Sequence, residues 1–189
     1  LGSYHVVDVG WSTGILVGLQ AGIVAGFTEE ILVRGVMLRI IEGWLGTWWA
    51  LAITAVFFGA AHLGNPQATI FGAAAIALEA GILLGACYLL TRRLWLAIGL
   101  HAAWNFVQGG IFGSDISGTG SGRGLIEARF TGPDLLTGGA MGVEGSIVAV
   151  LLCTTAGLAV LVAVHRRGLI VPPCWRRPAR AALDSTQPA

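Results

Sequence analysis

Residues 11–41 read WSTGILVGLQAGIVAGFTEEILVRGVMLRII, an apolar run long enough to cross a bilayer that carries Glu29, Glu30 and Arg34 near its centre. A helix needs about 20 largely apolar residues to span the hydrocarbon core. Charge at mid-span costs roughly 3 kcal/mol per residue on insertion scales, so such residues face a bundle interior and mark a functional path. The stretch therefore predicts a membrane helix with one polar inner face.

Composition extends that reading to the whole chain. Of 189 residues, 55% are hydrophobic and 11% charged, and the mean hydropathy is +0.78. A soluble domain of this length needs more polar surface. Five segments qualify as spans: residues 11–41, 47–63, 68–90, 94–112 and 145–164. The expected fold is an all-α, polytopic transmembrane helix bundle with at least five spans and an interior polar catalytic cavity. Residues 1–12 form a short N-terminal flank, with further chain expected upstream of Leu1. Residues 13–165 make up the membrane domain. Residues 166–189 read as a disordered, basic cytoplasmic tail holding Arg166, Arg167, Arg176, Arg177, Arg180 and four prolines. The segment from Gly113 to Glu144, rich in glycine and serine, reads as a flexible connector.

Arginine placement sets orientation. The tail and the Arg92-Arg93 joint fall on one side, Arg39 joins them if the spans alternate, and Arg123 and Arg129 fall opposite. Positive-inside logic makes the first side cytoplasmic, with Trp44, Trp48, Trp49 and Trp95 as interfacial anchors. Cys87, Cys153 and Cys174 have neither metal-ligand nor disulfide spacing. No nucleic-acid partner is expected.

Spacing sorts the intramembrane polar residues. Glu30 and Arg34 are four apart, share a helix face and can pair. Glu29, about 100° round the helix, points elsewhere. His101 and Asn105 project from one stripe, and Phe58 and His62 repeat the spacing. Glu79 belongs to no motif: lining the cavity, pairing with Arg34 and sitting in a water pocket all remain open. A carboxylate with an adjacent imidazole takes a proton from water, and a second imidazole with an amide stabilises an oxyanion. No serine or cysteine adjoins a histidine as a nucleophile, so activated water is the economical attacker. Zinc held by Glu29, His62 and His101 is the competing way to activate that water. No local motif such as His-Glu-x-x-His requires a metal.

Glu29-Glu30-x-x-x-Arg34, Phe58-x-x-x-His62 and His101-x-x-x-Asn105, in that order on separate spans, resemble the CPBP intramembrane proteases, which include the CAAX prenyl endopeptidases. The resemblance covers roughly residues 14–164; each motif alone is weak and the ordered triple is specific. It implies that Glu29 and His62 activate the water, that His101 and Asn105 form the oxyanion hole, and that Glu30 and Arg34 organise the site. The implied substrate is a membrane-associated protein or peptide, met in the bilayer. Other members of the resembled family serve in bacteriocin self-immunity, which makes a non-catalytic scaffold or immunity factor the alternative. A transporter is disfavoured by the absence of internal repeats. One geometric difficulty stands out. If the second and fourth spans run the same way, His62 lies late and His101 early, an offset of roughly 15 Å at 1.5 Å per residue.

Overall fold

The computed structural model describes residues 3–120 and 122–177. Its longest element, α1, runs unbroken from Gly14 to Leu45 over 32 residues, about 48 Å at α-helical rise. Glu29 and Glu30 are its two middle residues. From Ile31 to Leu38 the helix widens into π geometry. Gly46, at φ +80°, turns the chain into α2 (Thr47–Gly64), which closes with a 3₁₀ turn over His62–Gly64. The next helix, α3 (Ile70–Thr91), starts on a Thr69 cap and carries a π segment at Ala77–Gly81. After it comes α4 (Trp95–Asn105), which continues as a π turn over Phe106–Ile111. The last helix, α5, covers Ile147–Arg166.

Four of these, α1, α2, α3 and α5, are long and apolar enough to cross a membrane. The chain is thus a multi-pass helical membrane protein. The all-α expectation needs one amendment. Strands β1 (Tyr4–Val9) and β2 (Ile126–Phe130) pair antiparallel, Tyr4 opposite Phe130 and Val9 opposite Ile126, with a bulge between Val6 and Asp8. Arg123 ties this sheet together through Asp8 (2.6 Å) and Glu127 (3.1 Å).

The expected offset between the second and fourth spans is real, and the length of α1 absorbs it. The first half of α1 packs along α4 and its π turn, while the second half packs along α2. The end of α2 and the early turns of α4 therefore meet at the middle of α1. One stripe of α1 makes both contacts: Gly18, Gly22, Gly26, Glu30, Arg34, Leu38 and Glu42 are all buried, each four residues from the last. A four-residue step overshoots an α-helical turn of 3.6 residues. The wider π turn at Ile31–Leu38 counters the drift and keeps the stripe on one face. The glycines permit close approach, since a Cβ on Gly22 would lie 2.5 Å from the Ala102 carbonyl oxygen. Leu38, Leu51, Leu89, Leu161 and Val164 form a core below, and Val33, Phe58, Ile76 and Met141 form a second beneath the polar residues.

Two expected loose segments are ordered. Between residues 113 and 146 the chain forms β2 and several short turns, so it is not a plain flexible connector. The segment after α5, expected to be disordered, folds back as far as Arg177. Thr47 donates its backbone N–H to the Val171 carbonyl at 2.9 Å, and Val171 N–H donates to Thr47 Oγ1 at 2.8 Å. Arg92 pairs with Glu42 and donates to the Leu169 carbonyl, and Arg177 donates to the Glu42 carbonyl. These contacts gather the α1–α2 turn, the Arg92-Arg93 joint and the segment after α5 at one end of the bundle. Arg180 and the rest of the expected tail lie outside the described residues. Trp95 stacks edge-on against Phe27 at 6.2 Å between centroids, not against the Trp44, Trp48 and Trp49 group.

The glycine stripe yields a test. Gly22→Leu is expected to wedge α1 from α4 and cost about 1–3 kcal/mol, read as a lowered unfolding temperature in detergent. Gly43 has open space around it, so Gly43→Ala is expected to hold or raise that temperature.

Candidate active site

Glu30 anchors the site. It is fully buried, and its Oε1 accepts from Arg34 Nη1 at 2.8 Å and from His101 Nδ1 at 2.9 Å. Arg34 also donates to the carbonyls of Ala80 (3.1 Å) and Gly81 (3.4 Å). Both belong to the π segment of α3, where the widened ladder leaves carbonyls open to a side-chain donor. The Arg34 guanidinium lies 4.3 Å over the centre of the Phe58 ring, a cation–π contact away from water. Phe58 in turn packs on His62 (4.9 Å) and His101 (5.9 Å). One apolar ring thus seats both imidazoles.

The two histidines are held by opposite means. His62 Nδ1 lies 2.7 Å from the Phe58 carbonyl oxygen. A carbonyl only accepts, so Nδ1 carries a proton and Nε2 is the ring nitrogen left for the cavity. His101 Nδ1 is likewise committed as donor, to the carboxylate of Glu30. Both Nε2 atoms face the same oxygen, Glu29 Oε2, each at 4.0 Å. That is too long for a direct hydrogen bond and is a separation that a water can bridge. Glu29 Oε2 accepts no hydrogen bond within the described protein, although the Glu29 side chain is 36% exposed. Asn105, one turn beyond His101, is buried and faces the same space.

That space is a cavity of about 380 Å³, walled by Glu29, Phe58, His62, His101, Asn105 and Ser117. The structure therefore brings Glu29, His62, His101 and Asn105 to one cavity from three helices, and places Glu30 and Arg34 behind them. As a zinc site the same residues fit poorly. Adjacent ligands of a tetrahedral zinc lie about 3.4 Å apart at 2.0–2.1 Å bond lengths, whereas Glu29 Oε2 stands 4.0 Å from each imidazole nitrogen. Among the described residues no three His, Cys, Asp or Glu side chains are grouped to hold an ion.

Sequence reasoning missed part of the wall. Glu144, on the turn before α5, is buried; it accepts from Trp104 Nε1 at 3.1 Å and from Ser117 Oγ at 2.5 Å. The Ser117 carbonyl accepts from Asn65 Nδ2 at 2.7 Å. A chain of hydrogen bonds thus joins α4, the 113–120 segment and the residues after His62. Burial pushes the Glu144 carboxyl above the usual carboxylate range, against the hydrogen bonds from Ser117 and Trp104 and the nearby imidazoles. A carboxylate at the edge of the last span was the available signal, and the glycine-rich surroundings hid it. Glu79, also buried, forms no ion pair with Arg34.

The ion pair can be tested by a cycle. Arg34→Met leaves Glu30 buried and uncompensated and is expected to cost about 3–5 kcal/mol. Adding Glu30→Gln should recover much of that loss, as read by thermal unfolding of the single and double variants.

A family model described as Type II CAAX prenyl endopeptidase Rce1-like matches residues 11–107. All seven motif residues fall inside that stretch, and Glu144 falls beyond it. No curated protein and no solved structure matches the chain. The match covers more than half of the 189 residues, and the chain belongs to the Rce1-like family, a family of membrane endopeptidases.

Proposed function

We propose that this member of the Rce1-like family is an intramembrane endopeptidase, hydrolysing peptide bonds of membrane-associated proteins or peptides by attack of a glutamate-activated water. The observation that carries the reading is the convergence of two imidazole Nε2 atoms on Glu29 Oε2, each at 4.0 Å. Water seated among these three atoms gives a proton to Glu29, with His62 Nε2 accepting its second hydrogen bond. The nascent hydroxide attacks the carbonyl carbon, and the oxygen becomes an oxyanion. His101, as imidazolium, donates from Nδ1 to Glu30 and keeps Nε2–H for that oxyanion; the Asn105 amide supplies the second donor. When the C–N bond breaks, Glu29 returns its proton to the leaving amine. Glu30 and Arg34 are positioning residues: Glu30 fixes the His101 ring, and Arg34 holds Glu30 Oε1 in place at 2.8 Å. The 4.0 Å spacing favours a bridging water over a shared zinc ion, and no step here uses a metal.

In this reading α4 with its π turn is the fifth span, which makes the membrane domain a bundle of five crossing helices from residue 13 to residue 165. The end of the bundle that gathers Arg92, Arg93, Arg166, Arg167, Arg176 and Arg177 faces the cytoplasm, so the C-terminal tail is cytoplasmic. The alternative of a non-catalytic scaffold or self-immunity factor predicts that Glu29 is dispensable.

The decisive assay is cleavage of membrane peptides by the purified protein in liposomes. Glu29→Gln is expected to lower turnover by about 10²–10⁴, and Asn105→Ala by about 10²–10³ with KM little changed. Both variants should keep the wild-type unfolding temperature. Full-rate cleavage by Glu29→Gln would falsify the mechanism.

A further inference from the structure

Beside the catalytic cavity lies a second one, of about 100 Å³, that the hydrolytic scheme leaves unused. The two cavities share Phe58, His62, His101, Asn105 and Ser117 as walls. A group seated in the second is therefore a close neighbour of the bond being cut. Its other walls are mostly apolar, with Ile76, Leu83, Leu84 and Leu100 prominent, and its remaining ionisable groups are Glu79, Glu144 and the thiol of Cys153.

The two carboxylates are the unusual part. Glu79 is 2% exposed and Glu144 5%. Glu144 has two neutral donors, Trp104 and Ser117. Glu79 lines the cavity, and its buried Oε2 has no hydrogen-bond partner in the described protein. No arginine compensates either group among the described residues. Arg34 commits its terminal nitrogens to Glu30 and to the Ala80 and Gly81 carbonyls, and the ion pairs at the centre of the bundle run through Glu29 and Glu30. A buried carboxyl without a neighbouring cation either takes up a proton or meets a positive charge, and two such groups lining one cavity offer an arriving ammonium group a double receptor. Apolar walls leading to a charged end fit a methylene stem tipped by an ammonium, as in lysine. The volume, that of about three waters at ~30 Å³ each, suits one such chain.

We propose that this cavity is a specificity pocket for a lysine-like side chain flanking the scissile bond, with Glu79 and Glu144 receiving its ammonium group. The term "substrate" rests on the hydrolytic reading above; the cation preference of the pocket does not.

Cys153 reports on the pocket directly. The protein in nanodiscs is treated with 2-aminoethyl methanethiosulfonate or its uncharged propyl analogue, and labelling of Cys153 is followed by peptide mass mapping. Normalised to a free thiol, the cationic reagent is expected to react about tenfold faster, and the ratio to fall to about one in the Glu79→Gln, Glu144→Gln double variant. Each single Gln variant, closest in shape to the wild type, should lower it part of the way. Equal normalised rates in the wild type, or no labelling of Cys153 by either reagent, overturn the pocket.

A second arm compares cleavage of peptides in which lysine or norleucine is walked through the positions around the cut. About tenfold higher kcat/KM for lysine at one position, lost in Glu79→Gln, is the expected result. Cleavage without lysine preference overturns the specificity role while hydrolysis stands. Charge-selective labelling with no peptide cleaved leaves the cation pocket standing and counts against the hydrolytic reading instead.

Discussion

The Glu30–Arg34 pair at the centre of α1 is the constraint on which the rest of the site depends. Two opposite charges, both at most 1% exposed, meet at 2.8 Å. Each then acts beyond the pair: Glu30 orients His101, and Arg34 reaches the π segment of α3 and covers Phe58. A buried pair of this kind contributes little net stability against an apolar replacement, but removing either member is costly. Its value is positional. It ties α1, α3 and α4 to a common depth, and it leaves the neighbouring Glu29 facing the cavity and the two imidazoles.

That arrangement was legible in the sequence because helical geometry is local. Four-residue spacing predicts Glu30 against Arg34 and His101 beside Asn105, and a step of about 100° predicts that Glu29 faces elsewhere. The depth mismatch between His62 and His101 was legible as well, though not its resolution. Spans drawn one by one give no sign that α1 serves α4 with its first half and α2 with its second. Nor does 3.6-residue periodicity announce a π segment. Among the described residues three such segments occur, each next to polar residues: after Glu30, around Glu79 and after Asn105.

The segment from 113 to 146 was misread for a different reason. Glycine and serine signal flexibility when nothing else orders them. Here the order comes from contacts far apart in the chain, such as Asn65 with Ser117 and Trp104 with Glu144. Some of its glycines are structural. Gly142 has φ +77°, and a Cβ there would fall 1.9 Å from the Asp115 carbonyl oxygen. Arginine and proline after α5 likewise read as disorder, while the residues as far as Arg177 find partners in Glu42 and Thr47 at the bundle end.

The buried acidic residues of the interior then fall into distinct electrostatic states, and the differences separate scaffold from chemistry. Glu30 is paired through Oε1 with a guanidinium and an imidazole. Glu29 has two imidazoles at water-bridging distance and an open cavity in front of it. Glu144 is held by neutral donors only, and Glu79 Oε2 by none among the described residues. A helix bundle selected for stability alone would replace the last two with leucine, because buried carboxylates without a counter-charge oppose folding. Their presence beside the same imidazoles that face Glu29 is what the proposed cation pocket accounts for. A hydrolase acting on peptides meets such a charge in its substrate, so the acidic pocket and the water-activating centre make sense as two parts of one recognition surface.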